Sequence, residues 1–313
     1  DLRDELINKY FDPPLNQRNW RSIQDFIKST TLYKVMESFP KGAVLHVHGF
    51  CDSRLLINVG TYDPTCYVDL RPESQTYGFF QYSDTNVIGW SNTVATRSQS
   101  NNIVDFDIML WNFTQFWTPE LSVNETEMWL TFNKVIYRTN SLLTNDNVIN
   151  TCLINMFKDL QKNGILHLEL RIPLDVDLIN RISYFLEMSN TNITCRYIIE
   201  HSRNSEASKS VYETMVNTLL LMQNNSFVVG FDLVGEEDMG LSLYDYAPDF
   251  IKIRNYALNN NLDPLPFIFH CTETDNVTHA SSNAFDAIIL ESKRLGHALG
   301  LRNHPYLLKV VND

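Results

Sequence analysis

"AVLHVHG", residues 43–49, is an apolar run that ends in two histidines, His46 and His48, set two apart. In a β-strand residues i and i+2 share a face, so both imidazoles project together. The same design recurs along the chain. "GILHLELR" (164–171), "ITCRYIIEHS" (193–202), "FVVGFDLVGEED" (227–238), "PFIFHCTET" (266–274) and "RLGHALGL" (294–301) are apolar runs that close on polar residues. Between them lie amphipathic stretches of helical spacing, "VINTCLINMFKDLQKNG" (148–164), "SKSVYETMVNTLLLMQNN" (208–225) and "SSNAFDAIILESKR" (281–294). Gly164 takes a helix C-cap position. Near-continuous apolar strands that alternate with helices make a parallel sheet buried on both faces. With polar residues gathered at the C-terminal strand ends, the predicted class is α/β, a (β/α)8 TIM-type barrel.

Working outward from the strands, residues 1–40 read as an N-terminal helical region. Residues 41–50 and 146–313 read as the barrel. The first connection runs about 115 residues, far beyond an ordinary crossover, so 51–145 is expected to be an inserted subdomain. No internal repeat appears.

The chain of 313 residues is 44% hydrophobic and 20% charged, enough to bury a full core. No apolar run is long enough to predict a membrane span. The net charge of −12 argues against nucleic acid, which needs a basic footprint, and suits a small neutral or cationic ligand. The chain opens at Asp1 without a basic n-region and apolar h-region, which reads as processed or trimmed. Five cysteines form no C-x-x-C pair, so a thiolate zinc cage is not expected. Sequons at Asn112, Asn124, Asn192, Asn224 and Asn276 predict a secreted, extracellular glycoprotein. In that setting Cys51–Cys66 is the expected disulfide.

An isolated His-x-His has two readings: buried, hydrogen-bonded histidines, or paired ligands for a divalent metal, zinc foremost. Three further stretches favour the metal. "FHCTET" places His270 near the end of another strand, with Glu273 three residues on, free of the metal and placed to move a proton. "LGHALG" sets His297 at the end of the next strand, where it would orient or deprotonate a water. Gly235, in "GFDLVGEED", leaves room for a planar ligand to approach the backbone. His201 also falls at a strand end. His167 reads as packing, His279 and His304 as surface residues, and Cys271 should point away from His270.

The ordered series "FPKGAVLHVHG", "NFT", "LHLELR", "GFDLVGEEDMGLSLYDY", "FHCTETD" and "RLGHALGLRNHP" resembles the adenosine deaminase superfamily. It is most similar to the secreted branch, the adenosine deaminase-related growth factors. The resemblance implies a metal-dependent-hydrolase barrel that converts adenosine or 2′-deoxyadenosine to inosine and ammonia with one zinc ion. By the same resemblance His46, His48 and His270 match metal ligands, Glu273 the acid at purine N1, and His297 the histidine acting on the water. Gly235 matches the purine contact, and Glu120, Trp129 and His201 fall where the branch contacts the ribose. The implied partners are a purine nucleoside, a homodimer mate or a missing C-terminal segment, and a receptor or glycan for the insert.

There are departures as well. Thr272 stands where the family carries glycine, Gly49 where an aspartate is usual, and Asn276 where an aromatic is common. The family's zinc-binding Asp-Asp pair occurs nowhere in the chain, which ends at Asp313 just after the sixth predicted strand. Six strands cannot close an eight-stranded barrel. The expectation is therefore a piece of a longer or nicked protein, inactive as it stands. The alternative is an inactive relative that serves as a binding or structural protein.

Overall fold

The computed structural model describes residues 27–49, 52–116, 125–204, 207–274 and 279–312. The chain divides into two compact units: Asp1–Gly42, Ser53–Ile149 and Asp159–Ile165 in one, and Ala43–Asp52, Asn150–Lys158 and Leu166–Asp313 in the other. Among the described residues no helix is long and apolar enough to cross a membrane.

The chain runs from helix α1 (Thr31–Ser38), whose Thr30 cap accepts from the Tyr33 amide, into strand β1 (Gly42–His48). It then builds the body of the first unit. Helix α2 (Ser53–Gly60) precedes three short strands, β2 (Cys66–Val68), β3 (Phe80–Tyr82) and β4 (Ser91–Asn92). They form an antiparallel sheet in the order β3-β2-β4, with Cys66 opposite Tyr82 and Tyr67 opposite Asn92. Helices α3 (Thr93–Gln99), α4 (Ile103–Asn112) and α5 (Glu125–Leu142) complete it. Leu56, Ile57, Cys66, Val68, Phe80, Leu110 and Leu142 are buried in this unit. Its core also holds Arg97, which reaches Asp107 at 2.8 Å and the Thr61 carbonyl at 3.1 Å.

Cys66 is therefore a core residue, a free thiol that burial pushes up to about 12. This overturns the expected Cys51–Cys66 bridge. Closeness in sequence suggested that pair, but the alternation of β2 turns Cys66 into the apolar interior. The disulfide-bonded cysteine among the described residues is Cys152.

Helix α6 (Asp146–Lys162) starts on an Asn145 cap, and just past its end Gly164 turns left-handed at φ +69°. The remaining elements belong to the second unit: β5 (Ile165–Ile172), α7 (Val176–Met188), β6 (Thr194–Ser202), α8 (Val211–Asn224) and β7 (Val228–Val234). They are followed by α9 (Ala247–Asn259), β8 (His270–Cys271), α10 (His279–Ile289), β9 (Gly296–His297) and α11 (Pro305–Asn312). Each run read as a strand from the sequence contains one, but 266–274 is strand only over His270–Cys271 and 294–301 only over Gly296–His297, after which Leu299–Asn303 winds into a 3-10 turn.

Four strands form a sheet in the order β1-β5-β6-β7, parallel from β5 to β7, and β8 pairs with β9 in parallel. A parallel bridge from Phe231 to Phe267 carries the order from β7 toward β8. Sequential neighbours with helical crossovers are the arrangement of a (β/α) barrel wall. The register sorts the side chains by face. Leu168, Leu170, Ile172, Tyr197, Ile199, Phe231 and Leu233 occupy one face and are fully buried. Burying side chains of this size contributes roughly 1.5–3 kcal/mol each. The opposite face carries Glu169, Arg171, Glu200 and Asp232, with Glu200 directly opposite Asp232. A charged face on strands this apolar is the first structural sign of a site.

Candidate functional site

Three imidazoles meet on that charged face. His46 and His48 come from β1 and His270 opens β8. The Nε2 atom of His46 lies 3.1 Å from that of His48 and 3.0 Å from that of His270, and the His48–His270 separation is 3.0 Å. Two of the outer nitrogens are engaged: His48 Nδ1 lies 2.8 Å from Glu200 Oε2 and His270 Nδ1 2.7 Å from Asp232 Oδ2. An ionised carboxylate only accepts, so Nδ1 is the donor in both rings and each Nε2 is the nitrogen turned toward the other imidazoles. His46 is neutral at ordinary pH. Burial, and then the charges of Arg171 and the neighbouring histidines, push its pKa down to about 3.

Converging lone pairs about 3 Å apart repel one another unless a cation sits among them. Three imidazole nitrogens, two of them on rings oriented by carboxylates, form the donor set and supporting shell of a zinc centre. The residues present fit that ion.

Asp232 anchors the arrangement from below. It is fully buried, accepts from the His270 amide at 2.8 Å and from Arg171 Nε at 2.6 Å, and Arg171 also donates to the Leu45 carbonyl. Burial works to raise its pKa, but His270 and Arg171 outweigh that and hold the carboxyl below its usual range. Gly296 lets the His46 ring pass. A Cβ there would lie 3.1 Å from His46 Cε1 and 3.2 Å from the Phe269 carbonyl oxygen.

Beside the triad, Glu273 Oε1 lies 2.8 Å from His297 Nε2, while Glu273 Oε2 is buried with no hydrogen-bond partner among the described residues. Burial favours the neutral acid. The hydrogen bond from His297 and the charges of His270, His297 and Arg203 prevail and hold Glu273 below the usual carboxylate range. The backbone here is unusual: Thr272, His297 and Ala298 are left-handed, at φ +53°, +58° and +57°. Such conformations cost non-glycine residues about 1–3 kcal/mol each and gather at functional sites.

The structure thus brings together His46, His48, His270, Glu273 and His297. Gly235 follows β7 at φ +104°, and a Cβ added to it would meet nothing nearer than Ser202 Oγ at 3.8 Å. His201 shares the register of Leu233 and its Nδ1 lies 3.2 Å from Thr214 of α8, on the face opposite Glu200. Trp129 belongs to α5 of the first unit, edge-on to Phe132. Glu120, Asn124, Asn276, Cys51 and the helical stretches expected over 1–26 lie outside the described residues. Asn112, Asn192 and Asn224 are exposed. Cys271 is a buried free thiol outside the triad. A cavity of about 260 Å³ lined by Phe250, Leu265, Phe267 and Leu290 includes none of the site histidines.

Sequence reasoning missed Glu200, Asp232, Arg171 and Glu237. The signal was there in each case: a charged residue inside or just beyond an apolar strand, where burial demands a partner.

No family model matches the chain. It is 29% identical over 308 residues to adenosine deaminase 2 of Dictyostelium discoideum, covering 90% of this chain and 55% of that protein. It is 28% identical to adenosine deaminase 2 of Sus scrofa, covering 89% of this chain and 59% of that protein. An adenosine deaminase of Lutzomyia longipalpis is 26% identical over 93% of this chain and 61% of its own length. The chain therefore spans about 55–61% of the length of these relatives. Among solved structures, the Arabidopsis N6-mAMP deaminase superposes with a TM-score of 0.51 at 18% identity, over 85% of this chain and 67% of its own. An amidohydrolase from Burkholderia ambifaria with bound Zn gives 0.51 at 13%, over 89% and 64%. These likenesses show the fold, a (β/α) barrel.

Proposed function

Because this chain is a relative of the adenosine deaminase 2 proteins, we propose that it forms the zinc-binding part of a hydrolase that deaminates adenosine or 2′-deoxyadenosine to inosine and ammonia. The observation that carries the reading is the triad, three Nε2 atoms within 3.1 Å of one another with two Nδ1 atoms on carboxylates. His46, His48 and His270 would hold the ion. When bound, zinc supplies a water acidic enough to give hydroxide near neutral pH.

The chain's own residues do the rest. Glu273 Oε2, buried and unpartnered among the described residues, is the atom offered to purine N1, where negative charge develops as C6 is attacked. To donate there Glu273 must first be protonated, and His297, at 2.8 Å, is the group that shares the proton with it. Gly235 leaves the backbone open to a flat ring. The ribose assignments of Glu120, Trp129 and His201 rest on the resemblance alone, as does dimerisation and any receptor contact of the insert. Secretion is supported by exposed sequons at Asn112, Asn192 and Asn224.

A second reading, a binding protein without turnover, is favoured by the buried Thr272 beside Glu273, where the resemblance leads one to expect glycine. Two measurements on the purified native protein separate them: bound zinc by elemental analysis, and inosine formation from adenosine. About one zinc per chain with inosine produced supports the enzyme. Zinc without inosine supports the binding protein, and absence of both removes the enzyme reading. A mass decrease on deglycosylation is the expected mark of secretion.

A further inference from the structure

The turn that presents Glu273 is held from beneath by a carboxylate that the proposed chemistry does not use. Glu237, in the loop after β7, is fully buried. Its Oε1 accepts from the Thr272 amide at 2.8 Å and its Oε2 from the Glu273 amide at 2.6 Å. A third donor, Asn283 Nδ2 of α10, reaches Oε1 at 2.9 Å, while Asn283 Oδ1 accepts from the Leu243 amide. The neighbouring Asp238 takes the Thr274 hydroxyl at 2.8 Å. Two consecutive carboxylates thus grip three consecutive residues, 272–274.

The conformation they grip is one the residue resists. Thr272 is β-branched and left-handed at φ +53°. Its side chain is fully buried, packed so that a Cβ on Gly300 would come within 3.0 Å of the Thr272 Cβ. Among the described residues its hydroxyl has no oxygen or nitrogen partner, so the side chain supplies no strong polar anchor for the turn. The backbone is therefore what the protein holds: Gly300 N–H donates to the Thr272 carbonyl at 3.2 Å, and Glu237 takes both amides.

We infer that Glu237 is a positioning residue: its carboxylate clamps the Thr272 and Glu273 amides, enforces the left-handed turn and so aims the Glu273 carboxyl. The statement about aim rests on the proposed role of Glu273; the clamp itself does not. Hydrogen bonds from amides to an ionised carboxylate are of the stronger kind. Glutamine would meet one of the two amides with its own N–H, a donor facing a donor.

The test uses the full-length protein with Glu237→Gln, Thr272→Gly and the pair combined. Mass-spectrometric hydrogen exchange over 271–274 should show slow amides in the parent and exchange about tenfold to a hundredfold faster in Glu237→Gln. Unchanged exchange would overturn the clamp whether or not the protein turns adenosine over. In the deamination assay Glu237→Gln should lower kcat at least about tenfold with KM little changed. In the Thr272→Gly background, where glycine takes the turn without strain, that loss should shrink to about threefold or less. An equal loss in both backgrounds would overturn the aiming role. If the parent produces no inosine, the deaminase reading fails and the exchange experiment still decides the clamp. Should Glu237→Gln fail to fold, Glu237→Asp, which keeps the charge one carbon shorter, must show intermediate exchange for the inference to stand.

Discussion

The two halves of the site are held by different means. The imidazole triad stands on β1 and β8, and carboxylates from β6 and β7 hold its rings. The Glu273–His297 corner stands on left-handed residues, Thr272, His297 and Ala298, gripped through their backbone. The first half is secured by side chain against side chain and the second by conformation. Ligands for an ion need direction, which a neighbouring carboxylate supplies. A proton-transfer group needs to be placed off the line of a strand, and regular β-geometry has no such position.

Experiments that break the halves apart should differ in kind. Asp232→Asn should have the largest effect. It leaves Arg171 buried beside a neutral partner and should cost about 3–5 kcal/mol in urea or thermal unfolding. A variant as stable as the parent would mean that the triad does not depend on its base. His46→Ala and His270→Ala should retain the fold and abolish stoichiometric zinc. Glu200→Gln, at the more exposed His48, should weaken zinc about 10–100-fold in a chelator competition.

His297→Gln should sharpen the contrast from the other side, with zinc unchanged and inosine formation cut to a small but measurable residue. It also removes the hydrogen bond that does most to hold Glu273 low, so the Glu273 pKa should rise, read by the pH dependence of residual turnover. Acid should act first on the triad. His46 stays neutral down to about 3 in the folded chain, whereas an unfolded histidine protonates near about 6.5. Its depressed value contributes stability above about 6.5 that is lost as the pH falls toward about 3. The metal-free protein should therefore unfold progressively more easily over that window, and removing His46 should flatten the slope. Thr272→Gly should change least: relief of strain offsets lost packing, zinc is retained, and stability stays within about 1 kcal/mol.

The same division governs what could be read from the sequence. Strands show as apolar runs, and His-x-His on one of them announces its own geometry, so the barrel wall and the triad were legible. Glu200 and Asp232 were passed over because their partners are far along the chain, although a charge inside "YIIEH" or "VGFDLV" demands one. The left-handed turn at Thr272 leaves no local mark, since threonine is a poor residue for it, and only the packed Gly300 and Glu237 make it intelligible. Cys66 misled for the opposite reason: a short sequence separation suggested a pair, and the alternation of β2 decided otherwise.

His46 and His270 are separated by 224 positions yet touch. An ion held by both would close that long loop, and the complete centre should not form until β5, β6 and β7 have assembled between them. Contacts so distant in sequence are slow to form, because loop closure must precede the gain they bring. Zinc should accordingly leave the early steps of refolding untouched and act last, as a latch on a nearly finished wall. Added at the start or after the fast phase, it should yield the same protein at the same rate.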